Sequence, residues 1–357
     1  MPPIPVGILG IGVFLPPAVR RNSDWPASFV DRFNDRAADD ITIQRKTSEP
    51  PTGPLAIISR YESDPFRGSR ERHVLSPTSS VLEMEVEAGA KALEMANVRA
   101  EDIDLLIVST GVPDLLGASN HSAIQERLGL PRQALTISLD NACSSLIPAL
   151  LTAAGQITIG AARKALLVQS AAFSRVLDYD RPHSVNFGDG ATAVVVGPVG
   201  EGYGIQGWSW FNDGTLNRTV CFGPAEGGAW YQGAGRLVVA SQDVEGARRM
   251  VHSFGGWAKE AIEGALTHAK PEKRDVDFFA CHQPVVWFNP LCAQAAGLED
   301  VPTECVFPQT AGLGPANVPI NLDAGVRSGK LRPGGLAMLY AMGSGTQWGA
   351  MALRWGK

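Results

Sequence analysis

The chain reads as an α/β protein assembled from two similar halves, and two internal echoes in the same order carry that reading. The first echo begins in a helical pattern around residues 90–93, followed by Asp102-Ile103-Asp104 and an apolar run at 105–108. Its counterpart is a helical pattern around 258–261, then Asp275-Val276-Asp277 and an apolar run at 278–281. The second echo pairs Gly188-Asp189-Gly190 before residues 193–196 with Gly343-Ser344-Gly345 before residues 350–353. Helix then short apolar strand, twice over, is the pattern of repeated α/β units. A glycine-rich stretch at 197–207 joins them, giving an N-terminal half at 1–199 and a C-terminal half at 200–357.

Composition narrows the class. At 357 residues, 45% hydrophobic and 19% charged, the chain has the balance of an ordinary globular protein with a large core. A net charge of −5 and the lack of a basic run argue against nucleic-acid binding. The five cysteines show no C-x-x-C pair and no disulfide-style clustering, so a reduced, cytoplasmic setting is expected. No apolar run reaches the roughly 18 residues of a membrane span. No metal-ligand spacing stands out.

Taken in order, residues 4–15 form an apolar start broken by glycine and proline, a first strand and turn rather than a signal peptide. Residues 30–66, with Lys46-Thr47-Ser48-Glu49-Pro50-Pro51, lack periodicity and predict a long loop or small helical insertion. Residues 134–139 form a β-like run that leads through Asp140-Asn141-Ala142 to Cys143, and a helical pattern follows at 146–159. A thiol at a helix mouth meets unpaired N–H groups and the helix dipole, which favour a thiolate. Such a thiolate attacks a thioester and holds an acyl group covalently. In the second half, His282 follows the strand at 278–281 directly, in Cys281-His282-Gln283-Pro284. Strand ends are where α/β sites assemble, and histidine there serves as a base or an oxyanion donor. Related halves would turn both junctions toward one centre. Cys143 and His282 are then a catalytic pair.

With those residues in place, the chain resembles the thiolase superfamily, specifically enzymes like β-ketoacyl synthase III, almost end to end. Gly10-Ile11-Gly12 through Leu15-Pro16 is similar to the family's first strand and turn. Arg70-Glu71-Arg72-His73 matches its R-E-R-H segment, and Asn141-Ala142-Cys143 resembles the segment ending in the acyl-accepting cysteine. Phe187-Gly188-Asp189-Gly190-Ala191 is its F-G-D-G-A motif, and His282-Gln283 matches the catalytic histidine. Gly343-Ser344-Gly345 with Trp348-Gly349 looks like its C-terminal turn. The resemblance implies a five-layered αβαβα thiolase fold, a homodimer, and acyl transfer through Cys143. It also implies an oxyanion hole from the backbone N–H groups of Cys143 and Ser344. No permanently bound cofactor is implied; acyl-CoA or acyl carrier protein delivers the acyl group.

The chain departs from the pattern at three places. Gly312 stands where the family has an asparagine that, with the histidine, polarises a malonyl thioester as carbon dioxide leaves. Losing one such donor costs on the order of 10²–10³ in rate. Asn317 and Asn321 are the nearby candidates to replace it. Gly117, beside Leu116, occupies the position that closes the acyl tunnel or carries a basic glutamate in relatives, which points to a wider pocket near a dimer interface. Phe187, Gly312 and Asn317 join these two as expected substrate-binding residues. The tryptophan that stacks on adenine has no clear counterpart, since Trp25 lies too early, so a carrier protein is an alternative donor. His121 and His183 receive no role.

The leading expectation is an acyltransferase that moves an acyl group through Cys143 to an acceptor hydroxyl, amine or activated carbon, in polyketide or other secondary metabolism. The alternatives are a ketosynthase that forms a carbon–carbon bond by Claisen condensation, and a partner subunit of a heteromeric condensing enzyme.

Overall fold

A computed structural model describes residues 4–35, 54–61, 63–117, 119–224, 228–231, 236–267, 269 and 271–357. Most of the expected insertion at 30–66, including the run at 46–51, lies outside the described residues. Nine strands make two mixed sheets. The first sheet comprises β1 (Val6–Phe14), β2 (Leu105–Thr110), β3 (Leu135–Ser138), β4 (Ala165–Ala172) and β5 (Asp189–Pro198), ordered β1-β5-β4-β2-β3. The second comprises β6 (Gly204–Asn212), β7 (Val276–Cys281), β8 (Leu336–Gly343) and β9 (Gln347–Arg354), ordered β6-β9-β8-β7.

The two sheets repeat one topology. From β1 the pairings run antiparallel to β5, antiparallel to β4, then parallel to β2. From β6 they run antiparallel to β9, antiparallel to β8, then parallel to β7. The echoed motifs fall on matching members: each Asp-x-Asp precedes or opens β2 or β7, and each glycine-rich turn leads into β5 or β9. The α/β fold of two pseudo-symmetric halves is thus visible in the pairing itself.

Three apolar clusters show the layering. Helix α1 (Val81–Ala96) covers the outer face of the first sheet, packing Met84, Ala88 and Ala92 against Leu106, Val168 and Val195. Helices α2 (Leu146–Thr158) and α5 (Asn317–Arg327) lie between the sheets, where Leu150 and Val318 share a cluster with Leu167 and Leu339. Helices α3 (Val244–Thr267) and α4 (Phe288–Ala296) cover the outer face of the second sheet. The order is α, β, α, β, α. Every residue of β4 and β8 is buried, as strands covered on both faces require. α1 is held at its start by a reciprocal pair: Glu83 N–H donates to Ser80 Oγ at 3.2 Å, and Ser80 N–H to Glu83 Oε2 at 3.0 Å. Among the described residues no helix is long and apolar enough to cross a membrane.

Candidate active site

The nucleophile turn is built between β3 and α2. After Ser138 the chain passes through Asp140 and Asn141 into a 3₁₀ turn, Ala142–Ser144, and α2 begins at Leu146. Ala142 sits at φ 48°, a left-handed conformation that costs a non-glycine residue on the order of 1 kcal/mol. Four local bonds hold it. Ala142 N–H donates to Asp140 Oδ1 at 2.9 Å, and Asn141 N–H to Ser145 Oγ at 3.0 Å. Ser144 Oγ donates to Asn141 O and Ser145 Oγ to Ala142 O, both at 2.7 Å. The second half presses on this turn from β8: a Cβ at Gly343 would stand 2.6 Å from Ser144 Oγ and 2.7 Å from Asn141 O. Only glycine lets the two backbones approach so closely. Ser344 follows at once, and Asn141 Nδ2 donates to Gln347 Oε1 at 3.4 Å.

His282 leaves the end of β7. Its backbone N–H donates to Tyr340 O on β8 at 2.9 Å, and its ring meets the Phe288 ring edge-on at 5.9 Å. The side chain is 2% exposed, and Nδ1 is buried with no hydrogen-bonding partner among the described residues. Cys143, His282, Ser344 and Phe187 line one cavity of about 240 Å³. Residues from both halves meet there.

The electrostatics correct one expectation. Burial pushes the Cys143 thiol up to about 12, with the Asp140 charge acting the same way and the cysteine's own amide opposing. Burial also takes the His282 imidazole down to about 3. Helix α2 does start beside the sulfur, but desolvation outweighs the attraction of its N-terminus. The resting pair is a neutral thiol and a neutral imidazole. A thiolate can appear only as its proton moves.

Four expected substrate residues do not line the cavity. Gly312 N–H donates to Asn186 O at 2.8 Å and its carbonyl accepts from Gly188 N–H at 3.1 Å, while a Cβ would stand 2.9 Å from Asn186 O. The position is committed to backbone pairing and has no room for a side chain. Asn317 does not replace the missing carboxamide: it is fully buried and donates to Gln283 O at 3.4 Å. Asn321 likewise donates to Glu304 O at 2.5 Å. Leu116 is 69% exposed on the loop after β2, with Gly117 beside it at φ 81° and nothing within 4 Å of a Cβ. Trp25 is 6% exposed within a cluster of Phe29, Phe66 and Tyr179, its ring under the Arg20 and Arg72 guanidiniums.

Three polar lining residues lie outside the sequence expectations: Arg67, His183 and Asn186. His183 was given no role, yet it and Asn186 share the 3₁₀ turn Pro182–Asn186 just before the F-G-D-G-A motif. That spacing, three apart beside a site motif, was the available signal. Burial holds the Arg67 guanidinium below its usual range and lowers the His183 imidazole, with the Arg181 charge acting the same way on His183. The rest of the wall is apolar, with Met250, Val251 and Phe254 from α3 facing Trp287 and Met342. Among the described residues no group of three His, Cys, Asp or Glu side chains is placed to hold a metal ion.

Comparison with known proteins gives a consistent picture. The family model for 3-oxoacyl-[acyl-carrier-protein] synthase III matches residues 137–214, and its C-terminal model matches 266–355. The chain is similar to β-ketoacyl-[acyl-carrier-protein] synthase III 1 of Bacillus anthracis, 30% identical over 353 residues and covering 99% of each chain. Among solved structures, the priming β-ketosynthase of a polyketide biosynthetic pathway superposes with a TM-score of 0.79 at 26% identity, covering 98% of this chain and 96% of that one. The Pseudomonas aeruginosa 3-oxoacyl-(acyl carrier protein) synthase III superposes at 0.77 with 23% identity, covering 99% of each.

Proposed function

This chain belongs to the 3-oxoacyl-[acyl-carrier-protein] synthase III family, and from that premise we propose that it is an acyltransferase working through a Cys143 acyl-enzyme. One observation carries the reading: Cys143 and His282 share a cavity, while Gly312, at the family's asparagine position, supplies no carboxamide and has no space for one. Cys143 Sγ attacks the donor thioester carbonyl as its proton passes to His282. The carbon–sulfur bond of the donor breaks, and the departing thiol takes that proton. The Cys143 and Ser344 N–H groups stabilise the oxyanion between these events. An acceptor nucleophile then displaces Cys143. The relatives' names support acyl carrier protein as donor alongside acyl-CoA, and the polyketide relative supports a place in polyketide or related secondary metabolism.

Condensation is the second reading, favoured by the relatives' names. The two separate on carbon dioxide. With an acyl thioester and carboxyl-labelled malonyl thioester together, we expect covalent acylation without label release. Label appearing as carbon dioxide at the rate of turnover would establish condensation instead.

A homodimer completes the proposal. Strand β3 is the edge of its sheet, with Leu135 51% exposed, and Leu115 and Leu116 stand 66% and 69% exposed on the loop after β2. An exposed apolar edge is a template for pairing with a second copy. Leu116 and Gly117 would then act as pocket residues across that interface. Sedimentation is expected to give twice the 37.9 kDa chain mass. Replacing Leu135, Leu115 and Leu116 by lysine shifts it to monomer; an unshifted dimer places the interface elsewhere.

A further inference from the structure

We propose that His183 and Asn186 form the acceptor side of this cavity and that the acceptor presents a hydroxyl group. This rests on the acyl-enzyme reading above and adds the groups that receive the second substrate. The two residues lie three apart on the 3₁₀ turn Pro182–Asn186, and at three residues per turn they share one edge. Both line the cavity with Cys143 and His282. His183 Nε2, Asn186 Oδ1 and His282 Nδ1 are all buried without a hydrogen-bonding partner among the described residues. Buried polar atoms are nearly always paired, and each orphan costs about 1–3 kcal/mol. Three around one largely apolar cavity mark a place that a polar ligand completes. The turn is fixed there by Gly312, whose N–H and C=O clamp it at Asn186 O and Gly188 N–H. The side chain missing at 312 is what lets Asn186 come so close.

The wall selects the acceptor class. Most of that wall is apolar, with Met250, Phe254, Trp287 and Met342 in it. An ammonium would shed its water into those surroundings. A hydroxyl is neutral. Its oxygen bonds to the acyl carbon as the bond from that carbon to Cys143 Sγ breaks. The hydroxyl proton moves to the neutral His183 Nε2, then to the departing Cys143 sulfur. The products are an ester and the free thiol. Asn186 Oδ1 accepts a hydrogen bond from the acceptor beside the reacting hydroxyl and so orients it.

The test separates the two half-reactions on the intact protein. The enzyme is loaded with octanoyl-CoA, freed of excess donor, and treated with 1-hexanol or hexylamine while adduct mass and hexyl ester are followed. We expect hexanol to discharge the wild-type adduct faster than hexylamine does. His183→Gln is expected to load within a few-fold of wild type but to discharge 10²–10⁴ more slowly. Imidazole should restore discharge to His183→Ala, a rescue that a purely structural role would not show. Asn186→Leu is expected to load and to discharge at least tenfold more slowly. Equal discharge in His183→Gln, an equal loss in both half-reactions, or faster discharge by hexylamine would each overturn the assignment. So would loading without discharge by hexanol in the wild type, or malonyl decarboxylation that disappears in Asn186→Leu. No wild-type adduct at all removes the acyl-enzyme reading itself, and this inference falls with it.

Discussion

Replacing Cys143 by alanine is expected to remove the covalent adduct proposed to form with acyl thioesters, read as intact mass across a range of donors. The effect is complete because the sulfur is the bonding atom and no other cysteine reaches the cavity. Cys281 and Cys292 are buried, while Cys221 and Cys305 do not line it, and burial raises both of their thiols. The fold is expected to survive the change. The turn is held by Asp140, Ser144 and Ser145 rather than by the sulfur, so unfolding by denaturant stays within about 1 kcal/mol of wild type. The thiol also leaves a pH signature. With its ionisation near 12, roughly one thiol in 10⁵ is a thiolate at pH 7. Alkylation of Cys143 by iodoacetamide is therefore expected to rise about tenfold per pH unit between 7 and 10. A plateau below pH 9 would reveal a stabilised thiolate. A wild-type adduct in Cys143→Ala would move the nucleophile elsewhere.

The repeat was legible because it is written in local signals. An Asp-x-Asp turn before an apolar run marks the same parallel strand in each half, β2 and β7, and the glycine turns mark β5 and β9. Cys143 and His282 were legible for a related reason: each lies where a strand stops, and pseudo-symmetric sheets bring such ends together. What stayed hidden depends on contacts distant in sequence. Met250 and Phe254 look like any core positions four apart on a helix, and nothing local distinguishes wall from core. His183 looks like a loop histidine until the Gly312 backbone draws its turn against the cavity. The thiol's ionisation was misjudged because a helix mouth is a local feature, whereas desolvation is set by everything packed around it.

His282→Ala is expected to slow acyl-enzyme formation by 10²–10⁴ at pH 7, the usual contribution of a positioned base. Its imidazole, taken down to about 3, is unprotonated at every pH where the protein works, so it is always ready to accept. The thiol, pushed up to about 12, can scarcely ionise unaided. The histidine therefore matters most where the free thiolate is scarcest. Each unit of rising pH multiplies the spontaneous thiolate about tenfold while leaving the neutral imidazole unchanged. The deficit of His282→Ala, measured as single-turnover loading from acyl-CoA, should thus shrink steadily from pH 7 to pH 10. A structural defect would behave differently, giving a deficit independent of pH. A deficit that widens with pH would overturn the neutral-pair mechanism, because the growing spontaneous thiolate can only narrow it.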